Sequence, residues 1–399
     1  MKTFKDLEEN IYKCSKCGLC QKVCPLYKAT GNECTLSRGK FTLLNGVVKK
    51  HIPLDKEVMK YVDLCLNCNA CKDFCPSNID AREIFTSIKA EKCSGKRNIF
   101  LSYAFADVCM KLSAVLISLY KLSGAKFIVD KMAKIFIRLG KIGRFFLIIN
   151  SVIGGNIKRE KVNSQAKTKT VVYFPGCVGK YVNKSEKNAV LNIIDKMGYK
   201  ISEPDFSCCG MPYYSKGEIK ELEKLVNSNL AKLPDEFDYF VTNCASCEYM
   251  LSKYSEFAES KYLPKIKMLK EKSISFTDFL RLNDFKAKFA VPVTVTIHKP
   301  CHFEGDIKSF LSFTENVNYV EMDEYDSCCG ASGTFMMQYP QISKNIAKNK
   351  AKNILDTKAD IVLTSCPACV AGLKRGLVNM GDTNTKVMNI AEFLGLILF

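Results

Sequence analysis

The hydrophobic pattern divides the chain into two parts of different character. From residue 170 onward, short runs of β-branched and aromatic residues alternate with segments whose apolar residues recur at helical spacing. The runs typical of strands cover 170–174, 237–242, 292–298 and 359–364, and the clearest helical segments cover 187–197 and 342–355. This alternation favours α/β units with parallel strands. A polar stretch without periodicity precedes it and is typical of a linker, at 158–169.

Residues 96–160 carry an amphipathic pattern. Apolar residues dominate 103–120 and 127–150, interrupted by regularly spaced Lys and Arg. On a helix, one face would carry Ile128, Met132, Phe136, Leu139 and Phe146, and another Lys131, Lys134, Arg138 and Lys141. The longest uncharged run, 145–157, is shorter than the ~20 residues of a membrane-spanning helix. The pattern predicts a helix that lies on an anionic membrane surface or membrane subunit. The alternative is a helix packed on the protein's own core with lysines at its border.

Composition adds a strong positive charge. The 399 residues include 59 Lys and Arg against 41 Asp and Glu, a formal net charge of +18. Between residues 96 and 161, 13 basic residues stand against three acidic ones, so much of the charge is concentrated there. A basic chain can bind nucleic acid, but the sequence contains no helix-turn-helix, RNA-binding or zinc-finger pattern. We therefore expect one basic surface and no nucleic-acid partner.

Cysteine is unusually frequent, at 21 residues. The first ten residues lack the apolar core of a signal peptide, so we expect a cytoplasmic protein, either free or peripheral on the inner face of the cytoplasmic membrane. In a reducing compartment, this many cysteines favours metal ligation over disulfides. Three cysteines fit no ligand spacing and are expected to be free thiols: Cys34, Cys93 and Cys109.

A cysteine run that ends in proline occurs twice near the N-terminus. Each copy has the spacing C-x2-C-x2-C-x3-C-P, which bacterial-type ferredoxins use to hold [4Fe–4S] cubanes. The first three thiolates of a run bind one cluster, and the fourth binds the other. The sequence therefore predicts two interleaved clusters, one on Cys14, Cys17, Cys20 and Cys75 and the other on Cys65, Cys68, Cys71 and Cys24.

A zinc site is the alternative for these runs. It would need only four thiolates in two C-x2-C pairs, and it would leave the third cysteine of each run and the proline without a role. The 40 residues between the two runs exceed what a compact ferredoxin needs, and we expect 59–64 to end a helix there. Ser37-Arg38-Gly39-Lys40 lies in this insert, as either a solvated turn or a docking site for a partner.

The C-terminal part contains an internal repeat marked by cysteines. The first copy carries a single cysteine, then an adjacent pair before glycine, then a C-x2-C pair, at Cys177, Cys208, Cys209, Cys244 and Cys247. The second copy follows at offsets of 124, 120 and 122 residues, with Cys301, Cys328, Cys329, Cys366 and Cys369. Each C-x2-C pair follows a predicted strand and should open a helix, whose N-terminus stabilises a thiolate or a reduced cluster.

Five cysteines per copy restrict the chemistry. Adjacent side chains rarely both reach one tetrahedral ion, so a four-thiolate zinc site fits poorly. A disulfide between neighbouring cysteines is an alternative, but it is strained. Five thiolates better suit a larger or unusual iron–sulfur cluster with bridging cysteines.

The first copy, C-x30-C-C-G-x33-C-x2-C, resembles the cysteine-rich CCG domain. The archetype of this domain is the catalytic subunit of heterodisulfide reductase, where such motifs hold noncubane [4Fe–4S] clusters. The resemblance implies that the five cysteines of each copy hold one such cluster. The second copy has 26 residues between Cys301 and Cys328, against 30 in the first, so its cluster type stays open.

Two ferredoxin runs followed by two such repeats are similar to the iron–sulfur subunit of glycolate oxidase, the anchor subunit of anaerobic glycerol-3-phosphate dehydrogenase and the fused heterodisulfide reductase of the D type. The two ferredoxin runs and Arg38-Gly39-Lys40 look closest to the glycolate oxidase member, whereas the amphipathic segment is typical of the anchor. The resemblance implies an oxidoreductase subunit that takes electrons from a flavoprotein oxidising glycolate, lactate or glycerol 3-phosphate. It would pass them to quinone or another carrier.

Two other functions stay open. In one, the CCG clusters themselves reduce a disulfide; in the other, the cysteines hold zinc in a scaffold without redox chemistry, which explains the two kinds of motif poorly. No G-x-G-x-x-G follows a strand and no Walker sequence occurs. We therefore expect no flavin or NAD on this chain, and an FAD-containing dehydrogenase subunit as its partner.

Two histidines flank Cys301. His302 is the candidate catalytic residue, as a proton carrier or a ligand beside a cluster, and no other catalytic residue is assigned. His298 stands at a predicted strand end, where we expect only local hydrogen bonds.

The expected fold class is α+β and multidomain. It comprises an α-helical ferredoxin-like domain at 1–95, a basic amphipathic segment and linker at 96–165, and two repeated α/β CCG domains at 166–285 and 286–399. The two repeats should pack as a pseudo-twofold pair that places their clusters near the interface.

Overall fold

The computed structural model describes residues 3–93, 155, 157–160 and 168–398. The helices predicted within 103–150, Cys109 and the side chain of Cys93 lie outside the described residues. Within the described ranges, no helix has both the length and the apolar character needed to cross a bilayer.

The N-terminal part is helical throughout. Its elements are α1 (Glu8–Tyr12), α2 (Cys20–Val23), α3 (Pro25–Thr30), α4 (Ser37–Val48), α5 (Lys56–Asp63), α6 (Ala70–Asp73) and α7 (Ala81–Cys93). The side chain of Asp55 starts α5 by accepting hydrogen bonds from the amides of Glu57 and Val58, both at 3.0 Å. A core of α1, α4, α5 and α7 side chains holds the cysteine loops in place, with Ile11, Leu44, Val62 and Phe85 at its centre. The predicted helix end before Cys65 is confirmed.

The first repeat forms a four-stranded parallel sheet. Its elements are β1 (Thr170–Tyr173), α8 (Gly176–Tyr181), α9 (Lys184–Lys196), β2 (Lys200–Ser202), α10 (Met211–Lys216), α11 (Ile219–Lys232), β3 (Tyr239–Thr242), α12 (Ala245–Ser252), α13 (Leu263–Lys272), β4 (Ser273–Ser275) and α14 (Phe276–Leu282). The strand order is β2-β1-β3-β4. Buried residues fill β1 and β3, as expected for parallel strands covered by helices on both faces.

The second repeat has the same topology. Its elements are β5 (Ala287–Ile297), β6 (Thr314–Tyr319), α15 (Phe335–Gln338), α16 (Pro340–Asp356), β7 (Ile361–Thr364), α17 (Pro367–Asn379), β8 (Lys386–Asn389) and α18 (Ile390–Gly395). The order β6-β5-β7-β8 is again parallel throughout. Where the first repeat has α8 and α9, the second has one 3-10 segment, Ile307–Phe313. This replacement accounts for the shorter spacing between Cys301 and Cys328.

The two repeats pack against each other reciprocally. Helix α9 of the first repeat contacts α18 of the second, and α14 of the first contacts the 3-10 segment Ile307–Phe313 of the second. The ends of β3 and β7 meet at the same interface, where the amide of Ala245 donates to the carbonyl of Ser365 at 2.8 Å. This exchange of equivalent contacts is the predicted pseudo-twofold arrangement.

The ferredoxin-like part docks on the repeat pair through α7. Lys89 Nζ donates to the carbonyl oxygen of Ser215 at 3.3 Å, and the Ser332 hydroxyl donates to the carbonyl of Leu66 at 2.7 Å. Gly217 lies in the left-handed region, with φ +74, against the backbone of α7. The two repeats therefore both contribute to the docking surface.

Replacing Gly217 with alanine is expected to disrupt this docking. The added Cβ would lie 2.7 Å from the Cα of Ala90, and backbone cannot yield as a flexible side chain does. We expect the free energy of unfolding to fall by about 2–3 kcal/mol, since overpacking adds to the cost of an alanine in the left-handed conformation. The control is Gly381→Ala, whose φ of +84 is similar but whose Cβ would meet no atom within 4 Å. Both variants are unfolded anaerobically in urea. If their free energies of unfolding fell equally, Gly217 would be needed only for its local left-handed conformation and not for docking.

Candidate iron–sulfur sites

The first ferredoxin-type site is a cavity near the surface. Four of the cysteines that line it are the set predicted for one cubane, Cys14, Cys17, Cys20 and Cys75. A second cavity is lined by the other predicted set, Cys24, Cys65, Cys68 and Cys71. Cys71 also reaches the edge of the first cavity. The structure therefore brings the last cysteine of each run to the first three of the other.

Left-handed residues bend each run around its cavity. In the first run Lys16 and Gly18 have φ of +59 and +88, and in the second Asn67 and Asn69 have φ of +55 and +60. These four occupy equivalent positions between the first three cysteines. Successive turns of this kind direct backbone N–H groups into a concavity that favours a negatively charged group. The cavities therefore fit anionic iron–sulfur clusters, for which they supply thiolates and amide donors.

The Ser37-Arg38-Gly39-Lys40 sequence lies between the two cavities. Its interpretation as a solvated turn is wrong, because it begins α4 and because Gly39 and Lys40 are buried. Arg38 lines the first cavity and forms an ion pair with Glu33 at 2.6 Å. Lys40 donates to the carbonyl of Thr35, and its charge lowers the pKa of Cys24 against the larger opposing effect of burial. Both residues add positive charge beside the thiolates, and docking of a partner here stays a prediction.

The five cysteines of the first repeat meet in one cluster of side chains. Cys177 contacts Cys208, Cys208 contacts Cys209, Cys209 contacts Cys247, and Cys247 contacts Cys244. They come from the carboxyl ends of three parallel strands, the edge at which open α/β sheets bind their ligands. Contact with Cys208 and burial raise the pKa of Cys177 well above the ordinary thiol range. The positively charged core of an iron–sulfur cluster would compensate several buried thiolates at once, so the donor set fits iron–sulfur ligation.

The second repeat repeats this arrangement and adds a histidine. Cys328 contacts Cys301 and Cys329, Cys329 contacts Cys369, and Cys369 contacts Cys366. A ring nitrogen of His298 and the sulfur atoms of Cys329 and Cys369 lie within 4.8 Å of one another. His298 is fully buried, and neither of its ring nitrogens has an oxygen or nitrogen partner among the residues that the structure describes. The expectation that His298 makes only local hydrogen bonds through its side chain is therefore wrong.

The cysteine sites form a continuous series. The thiol of Cys68, in the second ferredoxin-type cavity, contacts Cys328 of the second repeat. Cys366 of the second repeat contacts Cys244 of the first. The order of sites is therefore first cavity, second cavity, second repeat, first repeat. The last two are reversed relative to the sequence.

Arg82 of α7 joins the sites at the centre of this series. Its Nη2 donates to the carbonyl of Cys68 at 3.1 Å and to the carbonyl of Cys301 at 3.3 Å. Its guanidinium carbon lies 4.5 Å from the centre of the Tyr249 ring. One side chain thus connects a ligand from each of two neighbouring sites. Sequence reasoning missed Arg82 because these partners are separated in sequence by as many as 219 residues.

His302 lies at the same junction. Its ring stacks on Tyr249 with 5.2 Å between centroids, and Nε2 lies 3.2 Å from the carbonyl oxygen of Asn67. Because a carbonyl only accepts, Nε2 carries the proton and Nδ1 accepts from the hydroxyl of Ser246 at 3.2 Å. Burial, followed by the charge of Arg82, lowers the pKa of His302 to about 4. His302 is therefore a neutral ring between three parts of the structure, and its catalytic role stays a prediction.

Replacing Arg82 with methionine is expected to lower the free energy of unfolding by about 2–3 kcal/mol, because two partly buried carbonyls lose a charged donor. Arg82→Lys should recover only part of the loss, since an ammonium lacks the planar fork. Arg281→Met is the control, because the Arg281 side chain is 60% exposed and pairs with its helix neighbour Asp278. Anaerobic urea unfolding followed by circular dichroism measures all three. A loss no larger for Arg82→Met than for Arg281→Met would contradict the role of Arg82.

Family models match both parts of the chain. A model described as a 4Fe-4S dicluster domain matches residues 10–79. A model described as a cysteine-rich domain, CCG, matches residues 171–252 and again 295–374. Together the matched residues make up more than half of the chain.

Two curated relatives match nearly the whole chain, and a third matches about half of it. The chain is 24% identical to the probable glycolate oxidase iron-sulfur subunit of Bacillus subtilis, over 97% of this chain and 94% of that protein. It is also 24% identical to the D component of the dihydromethanophenazine:CoB–CoM heterodisulfide reductase of Methanosarcina acetivorans, over 96% and 94%. Lactate utilization protein A of Lysinibacillus sphaericus is 28% identical over 55% of this chain and 97% of that protein. The chain therefore belongs to the family of iron–sulfur oxidoreductase subunits that join a 4Fe-4S dicluster domain to two CCG cysteine-rich domains.

Proposed function

We propose that this chain is the electron-transfer subunit of a flavin-dependent dehydrogenase complex that oxidises a 2-hydroxy acid of the glycolate or lactate type. The observation that carries the proposal is the continuous series of cysteine contacts from Cys68 through the second repeat to Cys177 of the first. Iron–sulfur clusters on these cysteines would each take up and release one electron. Thiols in direct contact keep neighbouring clusters close enough for transfer.

The protein's own residues hold and insulate the series. The cysteines of the second repeat are buried except Cys301, and those of the first repeat are buried except Cys177 and Cys208, which are partly buried. Arg82 fixes the position of the second ferredoxin-type site relative to the second repeat. Apolar residues surround the repeat sites, with Phe174, Met211 and Met250 beside the first and Met336 and Val370 beside the second. Such surroundings exclude water, which keeps the local dielectric low.

Substrate oxidation is assigned to a partner. A chain of metal clusters cannot accept hydride from a hydroxy acid, and no dinucleotide-binding fingerprint occurs in the sequence. An FAD-containing subunit would do that chemistry, and quinone or another carrier would accept the electrons. The excess of basic residues between 96 and 161 supports an acceptor at an anionic membrane surface.

A disulfide-reducing function is the second candidate, favoured by the full-length match to a heterodisulfide reductase component. A polar cavity of about 120 Å³ between the ferredoxin-like part and the second repeat reaches Cys328. Lys28, Lys350 and Asn353 line it. A substrate sulfur could approach the second repeat through this opening.

Anaerobic affinity purification from the native host tests the proposal. The preparation is analysed for FAD and assayed by dye reduction with glycolate, D-lactate, L-lactate and glycerol 3-phosphate, and reoxidation by disulfides is measured in parallel. We expect a co-purifying flavoprotein and hydroxy-acid-dependent reduction of the clusters. Activity with glycerol 3-phosphate alone would move the chain to the anchor-subunit function. A flavin-free preparation that reduces a disulfide would overturn the proposal in favour of the second candidate.

A further inference from the structure

The two repeats differ in the residues that surround their cysteines. Aligned through Cys177 and Cys301, His298 of the second repeat occupies the place of Phe174 in the first. Lys350 on α16 similarly corresponds to Asn229 on α11, at an offset of 121 residues. The contacts support this second pairing, since Lys350 reaches Ser327 and Asn229 reaches the equivalent Ser207. The second site therefore has a polar ring and a cation where the first has an apolar ring and an amide.

His298 is oriented toward the cysteines by the end of β5. Its backbone amide donates to the carbonyl of Leu363 at 2.9 Å, which fixes the residue beside β7. Its ring has no oxygen or nitrogen partner among the described residues and faces the thiol of Cys329. An imidazole carries at least one N–H whether neutral or protonated, so the ring is a hydrogen-bond donor in either form. The cysteine sulfurs of the second repeat are the hydrogen-bond acceptors available to the ring N–H of His298.

Lys350 brings a cation close to the adjacent cysteine pair. The residue is 2% exposed, and its ammonium donates to the carbonyl of Glu324 and to the Ser327 hydroxyl at 3.4 Å. Burial lowers the pKa of Lys350 to about 8, which leaves it mainly charged at neutral pH. Asp326 and Glu324 are nearby, but Glu324 forms an ion pair with Lys28. Lys350 and Cys328 line the same cavity, so the charge lies beside the adjacent cysteine pair.

The first site has no counterpart of this kind among the described residues. Phe174 packs on Phe206 and Phe240, with centroids 5.1 and 6.0 Å away. Asn229 hydrogen bonds to the carbonyl of Cys208 and the hydroxyl of Tyr254, at 3.0 and 2.9 Å. Lys232 lies 3.5 Å from the hydroxyl of Ser207, the serine of this site, but Lys232 is exposed. Water and salt screen its charge far more than that of a buried lysine.

Reduction adds one negative charge to a cluster. A hydrogen bond to a ligating sulfur and a nearby buried cation both stabilise that charge, and hydrogen bonding, local charge and exposure set cluster potentials. We propose that His298 and Lys350 hold the cluster of the second repeat at a higher reduction potential than that of the first. An electron gained by the second-repeat cluster is one lost by its neighbour, so electrons would collect at this site. The inference rests on the proposed iron–sulfur electron transfer.

The test exchanges residues between the repeats. His298→Phe and Lys350→Asn each give the second repeat the residue of the first, and Lys348→Asn removes an exposed lysine of the same helix as the control. The proteins are purified anaerobically with their clusters, and reduction is followed by electron paramagnetic resonance at controlled potentials. Cys209→Ala identifies the signal of the first repeat by its loss. Iron content and the cubane signals show that each variant is folded and loaded.

We expect the second-repeat signal of the wild-type protein to titrate at the higher potential of the two. Lys350→Asn and His298→Phe should each lower this reduction potential by about 59 mV, which for one electron is a tenfold change in the reduction equilibrium. Lys348→Asn should leave the potential unchanged. Equal potentials in the wild type, or no shift in Lys350→Asn, would overturn the inference. Loss of the cluster in His298→Phe would show that His298 ligates iron and would overturn its role as a donor. Absence of any repeat cluster from the wild-type protein would instead refute the proposed function.

Discussion

Cys24→Ala is expected to remove the cluster of the second cysteine run, although Cys24 belongs to the first. The reason is geometric: Cys24 lines the cavity of Cys65, Cys68 and Cys71, whereas Cys75 lines that of the first run. Cys75→Ala should in turn remove the first cluster. Each variant should lose about four iron atoms per chain, the content of one cubane.

The two variants should differ in electron exchange with the repeats. Cys68 of the second cavity contacts Cys328 of the second repeat, so the second cluster links the first cluster to the repeats, and Cys24→Ala should abolish electron exchange between them. Cys75→Ala should leave that exchange intact, since the first cavity lies at the far end. Iron analysis and low-temperature electron paramagnetic resonance measure the clusters, and reduction of the repeats after addition of dithionite measures the exchange. Cys34→Ala is the control, because Cys34 lines neither cavity. If Cys24→Ala removed the first cluster instead, the interleaved ligation would be wrong.

Cys329→Ala is expected to isolate the first repeat from the rest of the protein. Cys329 contacts Cys328 and Cys369, and the second repeat lies between Cys68 and Cys244 in the series. Removing this residue should cost the second-repeat cluster and should greatly slow reduction of the first repeat in rapid-mixing experiments. The slowing follows from the wider gap that an electron must then cross.

The equivalent substitution in the first repeat is the matched control. Cys209→Ala deletes the same member of the adjacent pair, so any general damage to a repeat is similar. It should remove the first-repeat cluster while reduction of the second repeat stays fast. If the first repeat instead lay between the ferredoxin-type sites and the second repeat, as in the sequence, the two variants would give the opposite results.

The sequence was most informative where chemistry imposes fixed spacing. The offsets between equivalent cysteines predicted two related parallel sheets, and both have the same strand order. Helices opening after Cys244 and Cys366 were also predicted and are confirmed by α12 and α17. Strand bounds were less accurate: β5 begins at Ala287, five residues before the predicted start, because Lys288 and Val293 pair with β6 across an irregular stretch.

Contacts between the parts could not be predicted in the same way. Nothing in the local sequence relates Cys68 to Cys328 or Arg82 to Cys301, since these pairs depend on how the ferredoxin-like part docks on the repeats. Lys350 could have been found from the sequence, because alignment of the two repeats pairs it with Asn229. At this buried position the first repeat has a neutral residue and the second has a cation. His298 was judged from its place at a strand end, which says nothing about the thiols that β7 brings beside it.

The unequal burial of the four sites also governs how the protein would be damaged in air. Cys17 is exposed and its three companions in the first cavity are only partly buried, whereas most repeat cysteines are buried. Molecular oxygen and peroxide reach exposed thiolates first. Oxidative decay would therefore begin at the first cubane and proceed inward. A briefly aerated sample would then retain the deeper clusters while losing the outermost one, and its residual iron would overstate how much of the protein can still exchange electrons along the full series.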